Sequence, residues 1–255
     1  MSHPEQLGFF ECVAALNRAL YTGGRVIEIG SYDVNGGVRR IFDGAAEYVG
    51  VDLKTGPGVD VVSFGHNVTL PDASFDAAVS GECFEHDPHW RDTFANMIRM
   101  TRPGGLVAFT CATTGRPEHG TRRTDVQESP GTQAEGLDYY RNLTEAEFRA
   151  GLQLDQLFSS YAFWSLSTSF DLYFAGIRTG DGTPDGPTAQ LPGAAAIEQL
   201  GSLMSLPHRA VRVPLRALSR VLPPERYQSV AVPYWRALLR AQDRVAGGRF
   251  RRAEH

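Results

Sequence analysis

Hydrophobic positions follow two alternating patterns along residues 1–178. Short apolar runs, several of which end at a glycine, serine or aspartate, alternate with segments whose apolar residues recur every three or four positions. The first pattern is typical of buried strands and the second of amphipathic helices, so together they predict an α/β chain with a mostly parallel sheet. The predicted strands are 26–29, 48–51, 59–62, 77–80 and 106–110, and the predicted helices are 5–21, 35–44, 89–101 and a segment from Thr144 onward.

Two segments depart from this alternation. Residues 112–138 carry neither period, and a loop of this length inside a compact domain is usually functional or disordered. In residues 154–178 apolar and polar positions alternate, which predicts two closing strands, antiparallel, at the edge of the sheet. Thr144 and Glu147 have the spacing of a capping box, which predicts the start of the helix that follows the loop.

The pattern changes again in the last third of the chain. Residues 179–193 are rich in glycine and proline and predict a linker. Residues 194–222 and 225–247 predict arginine-rich helices. We therefore divide the chain into a main domain at 1–178, the linker, and a basic helical segment at 194–255.

Charge is distributed unevenly between these parts. Residues 1–178 hold 14 basic and 23 acidic residues, whereas 179–255 hold 11 basic and 6 acidic residues. An acidic main domain argues against nucleic acid as its partner, because phosphate binding relies on clustered cations. Pro214 is expected to kink or interrupt the first basic helix. The arginines of this helix recur every three or four positions and predict one shared face: Arg209, Arg212, Arg216 and Arg220. Such a helix can contact an anionic membrane surface, pack on the main domain, or form a homodimer.

The cysteine content indicates the cellular compartment. Cys12, Cys83 and Cys111 provide neither a disulfide framework nor a C-x-x-C pair, which favours a reducing, cytoplasmic setting. The sequence has no apolar stretch of membrane-spanning length and no pattern typical of a signal peptide.

Residues 25–52 contain the strongest chemical pattern. A strand ends at Gly30, a glycine-containing turn follows, and the next strand ends at Asp52. Gly30 allows backbone to approach a ligand closely, and a carboxylate at Asp52 can accept hydrogen bonds from both ribose hydroxyls. Glu28 lies inside the first strand and needs donors from the turn or from a ligand's ammonium group. Alternatively, Gly30 merely ends a strand and Asp52 caps a turn.

The dinucleotide fingerprint G-x-G-x-x-G is absent after this first strand. Gly30 is followed by Ser31 and Tyr32, so the turn offers no evident cradle for a pyrophosphate. A nucleoside without phosphates therefore fits the pattern better than a dinucleotide.

Four segments in order resemble the class I S-adenosylmethionine-dependent methyltransferases of the methyltransferase type 11-like group. They are VIEIGSYDVNGG, VGVD, LPDASFDAAVS and FEHDPHWRDTFANMIRMTRPGGLVAFT. The resemblance covers roughly residues 24–178 and departs from the family at Ser31-Tyr32, where many relatives have a G-x-G turn. It implies a Rossmann-like α/β fold, a mostly parallel sheet with an antiparallel edge, to which this chain adds a C-terminal helical appendage. It also implies S-adenosylmethionine as cofactor.

Carried over by position, the resemblance implies a set of cofactor-binding residues. Glu28, Gly30 and Ser31 would line the methionine moiety. The residues implied for the rest of the cofactor are Asp52 and Leu53 at the ribose and adenine face, Phe64 and Gly65 at the adenine edge, and Ser80 and Glu82 near the sulfonium. Leu53 and Phe64 have an alternative interpretation as core residues.

A hydroxyl acceptor needs a base, and histidine is the usual one near neutral pH. His119, in the polar loop, has no evident packing role and is the favoured base, with an ordinary surface histidine as the alternative. His86 and Glu85 are the other candidates, although the resemblance makes His86 a buried structural residue. A metal bound through His86, Asp87 and His89 is conceivable, but no paired-acid motif supports it, so we predict no metal.

The same loop suggests the acceptor. Arg116, Arg122 and Arg123 could bind a carboxylate or phosphate, and Tyr139 and Tyr140 could stack on a ring, or these residues could be solvated or packed. We predict O-methylation of a saccharide or hydroxylated natural product, of the bacterial glycan or secondary-metabolite type. The alternatives are an NAD-type oxidoreductase and a non-catalytic binding protein with this fold.

Overall fold

A computed structural model describes residues 3–34, 36–180 and 186–253, with side chains described as far as 241. Asn35 of the first motif, residues 181–185 of the predicted linker and the last two residues of the basic segment lie outside the described residues.

In the described part of the chain, seven strands form one sheet. In chain order they are β1 (Arg25–Ile29), β2 (Glu47–Asp52), β3 (Val61–Val62), β4 (Phe75–Gly81), β5 (Thr101–Ala112), β6 (Phe158–Leu166) and β7 (Asp171–Arg178). Their spatial order is β3-β2-β1-β4-β5-β7-β6, with parallel pairing from β3 to β5 and antiparallel pairing of β7 with both β5 and β6. The predicted Rossmann-like, mostly parallel sheet with an antiparallel edge is confirmed.

Helices and short turns connect the strands. The helices are α1 (Pro4–Leu16), α2 (Arg18–Tyr21), α3 (Trp90–Met100), α4 (Pro130–Ala134), α5 (Glu145–Gly151), α6 (Leu154–Leu157), α7 (Ala194–Leu200), α8 (Leu206–Ala210), α9 (Val213–Leu218) and α10 (Pro224–Ala253). Short 3-10 turns occur at Arg39–Phe42, Gly65–Asn67, Phe84–His86 and Val126–Glu128. The predicted capping box is confirmed, because the Thr144 hydroxyl accepts from the Glu147 amide while the Glu147 carboxylate accepts from the Thr144 amide.

The sheet is buried on both faces by aromatic side chains. On one face Phe109 of β5 packs between Phe148 and Phe174, with ring centroids 4.7 and 5.0 Å away. On the other face Phe9 of α1 packs against Tyr173 of β7 at 5.2 Å. Adjacent β7 residues thus point to opposite faces, as the strand period requires. Burial on both faces fixes the strand register and so fixes which residues reach the strand ends.

The order of the strands creates a switch point beside β1. The chain moves outward from β1 to β2 and β3, then returns to place β4 on the other side of β1. In open α/β sheets ligands bind in the crevice outside the carboxyl ends of strands at such a point. The tips that follow Ile29, Asp52 and Gly81 therefore surround the natural position of a ligand.

Several predicted helices are shorter than expected. The predicted helix 35–44 is only the 3-10 turn Arg39–Phe42, and the predicted helix 5–21 divides at Asn17 into α1 and α2. Asn17 interrupts it because its side-chain amide donates to the carbonyls of Val13 and Gln190. The strand predicted at 106–110 is longer, since β5 already begins at Thr101.

The helix predicted over 194–222 is interrupted at Pro214, as expected, and also at positions before it. It consists of three short helices, α7 to α9, and Pro207 and Pro214 lie in the first turns of α8 and α9. Proline suits a first turn but disrupts a helix interior. The predicted continuous arginine face is therefore absent from the described residues. Arg212 instead stacks on Trp235 at 4.8 Å, and Arg216 donates to the carbonyl of Ser167.

The helical appendage packs on the main domain. Leu215 of α9 and Tyr227 and Ala231 of α10 form a small buried cluster with Phe170. The Tyr227 hydroxyl donates to the carbonyl of Gly115 at 2.6 Å, so α10 also holds the loop after β5. Among the described residues, none of the helices combines the length and apolarity that crossing a membrane requires.

Candidate active site

A cleft lies at the carboxyl ends of β1, β2 and β4. It encloses about 980 Å³, including its open mouth, and is covered on one side by α4 and the residues next to it. The segment 113–138 thus contributes directly to the cleft, as its length suggested. The predicted cofactor residues that line it are Glu28, Gly30, Ser31, Asp52, Leu53, Phe64, Gly65 and Glu82.

Gly30 brings the first turn against the residue that follows β4. Its φ is +82°, and a Cβ at this position would lie 2.6 Å from the Cβ of Cys83. Its amide donates to the carbonyl of Val51, as does the amide of Ser31. Only glycine combines this backbone conformation with so close an approach, so Gly30 closes the floor of the cleft rather than merely ending a strand.

We expect Gly30→Ala to lower the free energy of unfolding by about 3 kcal/mol, because left-handed strain and overlap with Cys83 both destabilise the chain. Gly23→Ala is the matched control, since Gly23 has a φ of +73° but no atom within 4 Å of the added Cβ. This control should lose only about 1 kcal/mol in urea denaturation. Equal losses in the two variants would show that the contact with Cys83 does not constrain the turn.

Asp52 is held at the tip of β2 by backbone donors. Its Oδ2 accepts from the Tyr32 amide at 3.0 Å and its Oδ1 accepts from the Leu53 amide at 2.7 Å. Burial raises the pKa of this carboxyl, and the backbone hydrogen bonds oppose that rise. Gly131 of α4 packs directly onto the carboxylate, where a side chain would not fit. The carboxylate is therefore oriented rigidly, with α4 next to it.

Glu28 lies in β1 beneath the first turn. It accepts a hydrogen bond of 2.8 Å from the hydroxyl of Tyr48. Burial raises its pKa to about 7. A buried carboxylate of this kind is stabilised in its charged form by a cationic ligand.

Glu82 follows β4 in a strained conformation, with a φ of +52°. It is buried and faces the cleft, and neither of its oxygens has a hydrogen-bond partner among the described residues. Arg116 lies near it, with Nη2 3.6 Å from Oε2, and forms a closer pair with Asp171 at 3.0 Å. Burial raises the pKa of Glu82. Such strain at a cleft is a property of functional residues.

The predicted role of Arg116 in binding an acceptor carboxylate or phosphate is not what the structure shows. Its guanidinium is largely buried and engaged with Asp171 and Glu82, and it also donates to the carbonyl of Ser169. Arg122 and Arg123 are exposed, and Arg123 pairs with Glu118 at 3.0 Å. The arginines of this loop therefore do not converge on the cleft.

Ser80 is the predicted cofactor residue that does not line the cleft. It is completely buried, and its hydroxyl donates to the carbonyl of Ile29 at 2.8 Å. This bond joins β4 to β1, so Ser80 holds the two strand tips together. Leu53 and Phe64, by contrast, are half-buried and face the cleft rather than belonging only to the core.

The three predicted catalytic residues lie together. One ligand atom each from Glu85, His86 and His119 lies within 4.8 Å of the others, and all three residues are buried. His86 lines the cleft, whereas Glu85 and His119 are not among its lining residues. The expectation that His119 has no packing role is wrong, since its ring packs against His86 at 5.0 Å and Tyr140 at 4.9 Å.

Burial strongly lowers the pKa of both imidazoles. It lowers the pKa of His86 to about 3, and it lowers the pKa of His119 well below its usual value. Both rings are therefore neutral near pH 7. Tyr140 packs on the two rings and donates to the carbonyl of Pro117, so it belongs to the interior of this cluster rather than to a stacking platform on a lid.

The metal ligands considered from the sequence, His86 with Asp87 and His89, do not form a ligand set. Asp87 accepts from the Thr93 hydroxyl and from the His89 amide, and the His89 ring stacks on His66 with centroids 4.3 Å apart. The structure instead brings His119, from the loop after β5, next to Glu85 and His86 of the 3-10 turn Phe84–His86.

The charge of the cleft is one-sided. Within the described chain its lining includes five carboxylates and no lysine or arginine: Glu28, Asp52, Glu82, Asp87 and Glu128. A cation or zwitterion suits this lining, whereas a pyrophosphate would meet uncompensated negative charge.

Some lining residues carried no sequence pattern. Gln6 of α1 and Cys83 reach the cleft through tertiary packing, and Ser129 to Thr132 reach it because α4 folds back over β2. Only the length of the loop indicated that the last group could be functional.

A protein family matches part of the chain. Residues 35–109 match a family described as a methyltransferase domain. No curated protein matches the chain significantly in sequence. The match confirms the predicted resemblance to methyltransferases over this segment and agrees with S-adenosylmethionine as the predicted cofactor.

Solved structures of similar fold are more distant. One is phosphoethanolamine N-methyltransferase 2 of Haemonchus contortus in complex with S-adenosyl-L-methionine, with 16% identity, 67% of this chain and 52% of that chain covered, and a TM-score of 0.48. Another is the 1,6-didemethyltoxoflavin-N1-methyltransferase of Burkholderia thailandensis, with 15% identity, 69% and 80% coverage, and a TM-score of 0.47. The present chain thus spans about half the length of the first of these.

Proposed function

We propose that the chain transfers the methyl group of S-adenosylmethionine to a hydroxyl of a small polar acceptor. The acceptor would be a saccharide or a hydroxylated natural product. The match of residues 35–109 to a methyltransferase domain supports the type of reaction. The observation that carries this proposal is the acidic, arginine-free and lysine-free lining of the cleft in the described chain. S-adenosylmethionine has a sulfonium, an ammonium and no phosphate, so its charges complement this lining. The same lining disfavours the NAD-type oxidoreductase.

The cofactor would span the three strand tips. Asp52 would accept hydrogen bonds from the ribose hydroxyls, and Leu53 and Phe64 would border the adenine. Gly30 and Ser31 would lie along the methionine moiety. The Glu28 carboxylate would lie below it and pair with its ammonium group. In this binding mode the sulfonium would point toward Glu82. The Glu82 carboxylate would then lie at the end of the cleft from which the acceptor approaches.

Methyl transfer is an in-line displacement at carbon. The acceptor oxygen forms a bond to the methyl carbon while the carbon–sulfur bond breaks. The electron pair of the broken bond remains on sulfur. In our proposal the hydroxyl proton passes to Glu82, whose oxygens have no other hydrogen-bond partner among the described residues. Arg116 would hold Glu82 in place, and α4 would exclude water, because alignment and desolvation are the main contributions an enzyme makes to such a reaction.

The activity is tested with cofactor labelled in its methyl group. The full chain is incubated with a panel of saccharides and polyhydroxylated aromatic and macrocyclic compounds, and label is followed into product. Transfer to a hydroxyl of one class supports the proposal. Transfer only to nitrogen or carbon acceptors would overturn the O-methylation, and no transfer despite cofactor binding would favour the non-catalytic binding protein.

We expect cofactor affinity to depend on pH through Glu28. Its pKa is raised to about 7, so the carboxyl is mostly protonated below that pH, and a cationic ligand binds better as the pH rises and the group ionises. Calorimetry should show binding about tenfold weaker at pH 6 than on the plateau above pH 8. The Glu28→Gln variant should bind the cofactor more weakly on the plateau. Its affinity should also lose the pH dependence that comes from ionisation of Glu28. Identical pH profiles for the two proteins would exclude Glu28 as the titrating group.

A further inference from the structure

The cluster of Glu85, His86 and His119 is built from two loops that meet behind the cleft. Glu85 and His86 lie in the 3-10 turn after β4, and His119 lies in the loop after β5. Glu85 is fully buried, and His86 and His119 are 5% and 7% exposed. The folding of the chain therefore places one carboxylate and two imidazoles in a nearly dry environment.

The polar atoms of this cluster have no partners. Among the described residues, both oxygens of Glu85, Nδ1 of His86 and Nε2 of His119 are buried without a hydrogen bond, and His119 Nε2 lies 3.9 Å from Glu85 Oε1. A buried polar group left unpaired costs about 1–3 kcal/mol. Four such atoms in one cluster, with one ligand atom of each residue within 4.8 Å of the others, indicate that something else satisfies them together.

The opposite side of the His119 imidazole is satisfied. Nδ1 of His119 lies 3.2 Å from the carbonyl of Pro117. A ring nitrogen that donates to a carbonyl leaves the other nitrogen of a neutral imidazole with its lone pair free. This is the arrangement that orients metal-binding histidines, in which the outer nitrogen donates to a backbone carbonyl.

We propose that Glu85, His86 and His119 bind a divalent first-row transition-metal ion such as Zn²⁺, Fe²⁺ or Co²⁺. Two imidazole nitrogens and one carboxylate suit these ions, whereas Mg²⁺ and Ca²⁺ prefer oxygen ligands throughout. Three protein ligands leave further coordination positions open, and His86 is the member that reaches the cleft.

The place of the ion suggests its role, and this part of the inference rests on the proposed function. An acceptor hydroxyl coordinated at the open position would have a lowered pKa and would release its proton more readily. Glu82, three residues before Glu85, would then receive that proton. His119 would act through the ion as a positioning residue rather than as the base that the sequence favoured.

The site is tested by metal binding, independently of catalysis. The full chain is stripped with a chelator and titrated with Co²⁺, whose visible absorption reports its ligands. We expect one Co²⁺ per chain, with affinity weakened at least about 100-fold in His119→Ala and in the isosteric Glu85→Gln. His89→Ala is the control, because it removes an exposed histidine near the cleft but outside the cluster, and its affinity should stay within about threefold of wild type.

Two results would overturn the site. One is a wild-type chain that binds no Co²⁺ at concentrations up to about 1 mM, and the other is wild-type affinity in both cluster variants. Circular dichroism identifies a variant that has not folded, and Zn²⁺ should raise the unfolding temperature of the wild type but not that of folded Glu85→Gln. Titration with S-adenosylhomocysteine separates the two proposals: metal binding without cofactor binding would end the proposed function alone, and the reverse would end the metal site alone.

Discussion

Replacing Asp52 by asparagine is expected to weaken S-adenosylhomocysteine binding about 100-fold. The carboxylate is half-buried and oriented by the amides of Tyr32 and Leu53, and it has acceptor capacity left for ribose hydroxyls. A hydrogen bond to a charged group contributes about 1.5–3 kcal/mol, and asparagine replaces one charged acceptor by a donor. Losing about 3 kcal/mol corresponds to roughly 100-fold in dissociation constant, which calorimetry resolves.

The substitution also disturbs the backbone donors, so its effect on folding must be separated from its effect on binding. Asp92→Asn removes an exposed acid in α3, outside the cleft, and should bind the ligand as the wild type does. Urea denaturation of both variants measures how far each substitution lowers the free energy of unfolding. An Asp52→Asn chain that is folded and binds with unchanged affinity would contradict the ribose assignment.

Glu82→Gln is expected to lower kcat by about 10²- to 10⁴-fold, the usual contribution of a positioned base. The amide has the size of the carboxylate but cannot take the acceptor proton. Because the proton moves only during reaction, the KM for the acceptor and the affinity for S-adenosylhomocysteine should change by less than about threefold. Steady-state kinetics with the acceptor found in the labelled assay would measure this separation.

Glu135→Gln is the control for that variant, since it removes an exposed carboxylate at the end of α4. Its kcat should equal that of the wild type. A pH profile adds a second readout, because the limb that reports the base should disappear in Glu82→Gln. Equal kcat values for wild type and Glu82→Gln, or a loss confined to KM, would assign the proton to another group.

The sheet could be predicted because its strands are buried on both faces. Such strands leave mainly apolar runs such as Val26 to Ile29, in which Glu28 is the one charged residue, and the glycine or acid that follows such a run marks its tip. The positions of Gly30 and Asp52 on adjacent strands follow from that pattern, which is why most predicted cofactor residues line one cleft. The helices were less predictable. The interruption at Pro214 follows from proline chemistry, but Pro207 also lies in the first turn of a new helix, where the periodicity continued.

The acceptor side could not be predicted from local pattern. The loop after β5 contains charged and histidine residues that look exposed, yet His119 and the Arg116 guanidinium are buried by contacts with distant residues, Tyr140 and Asp171. Ser80 likewise has the right position in sequence, but its hydroxyl bonds Ile29 on the neighbouring strand. Which side chains enter a cleft depends on packing between segments that are far apart in the chain.

In our proposal the acidic strand tips bind a cationic, phosphate-free nucleoside. Calorimetry of the full chain with S-adenosylmethionine, and in parallel with NAD, distinguishes this ligand from a dinucleotide. We expect one bound S-adenosylmethionine per chain, with heat that falls sharply in Asp52→Asn, and no detectable heat with NAD. Binding of NAD in preference to the sulfonium compound, or binding of neither, would contradict it.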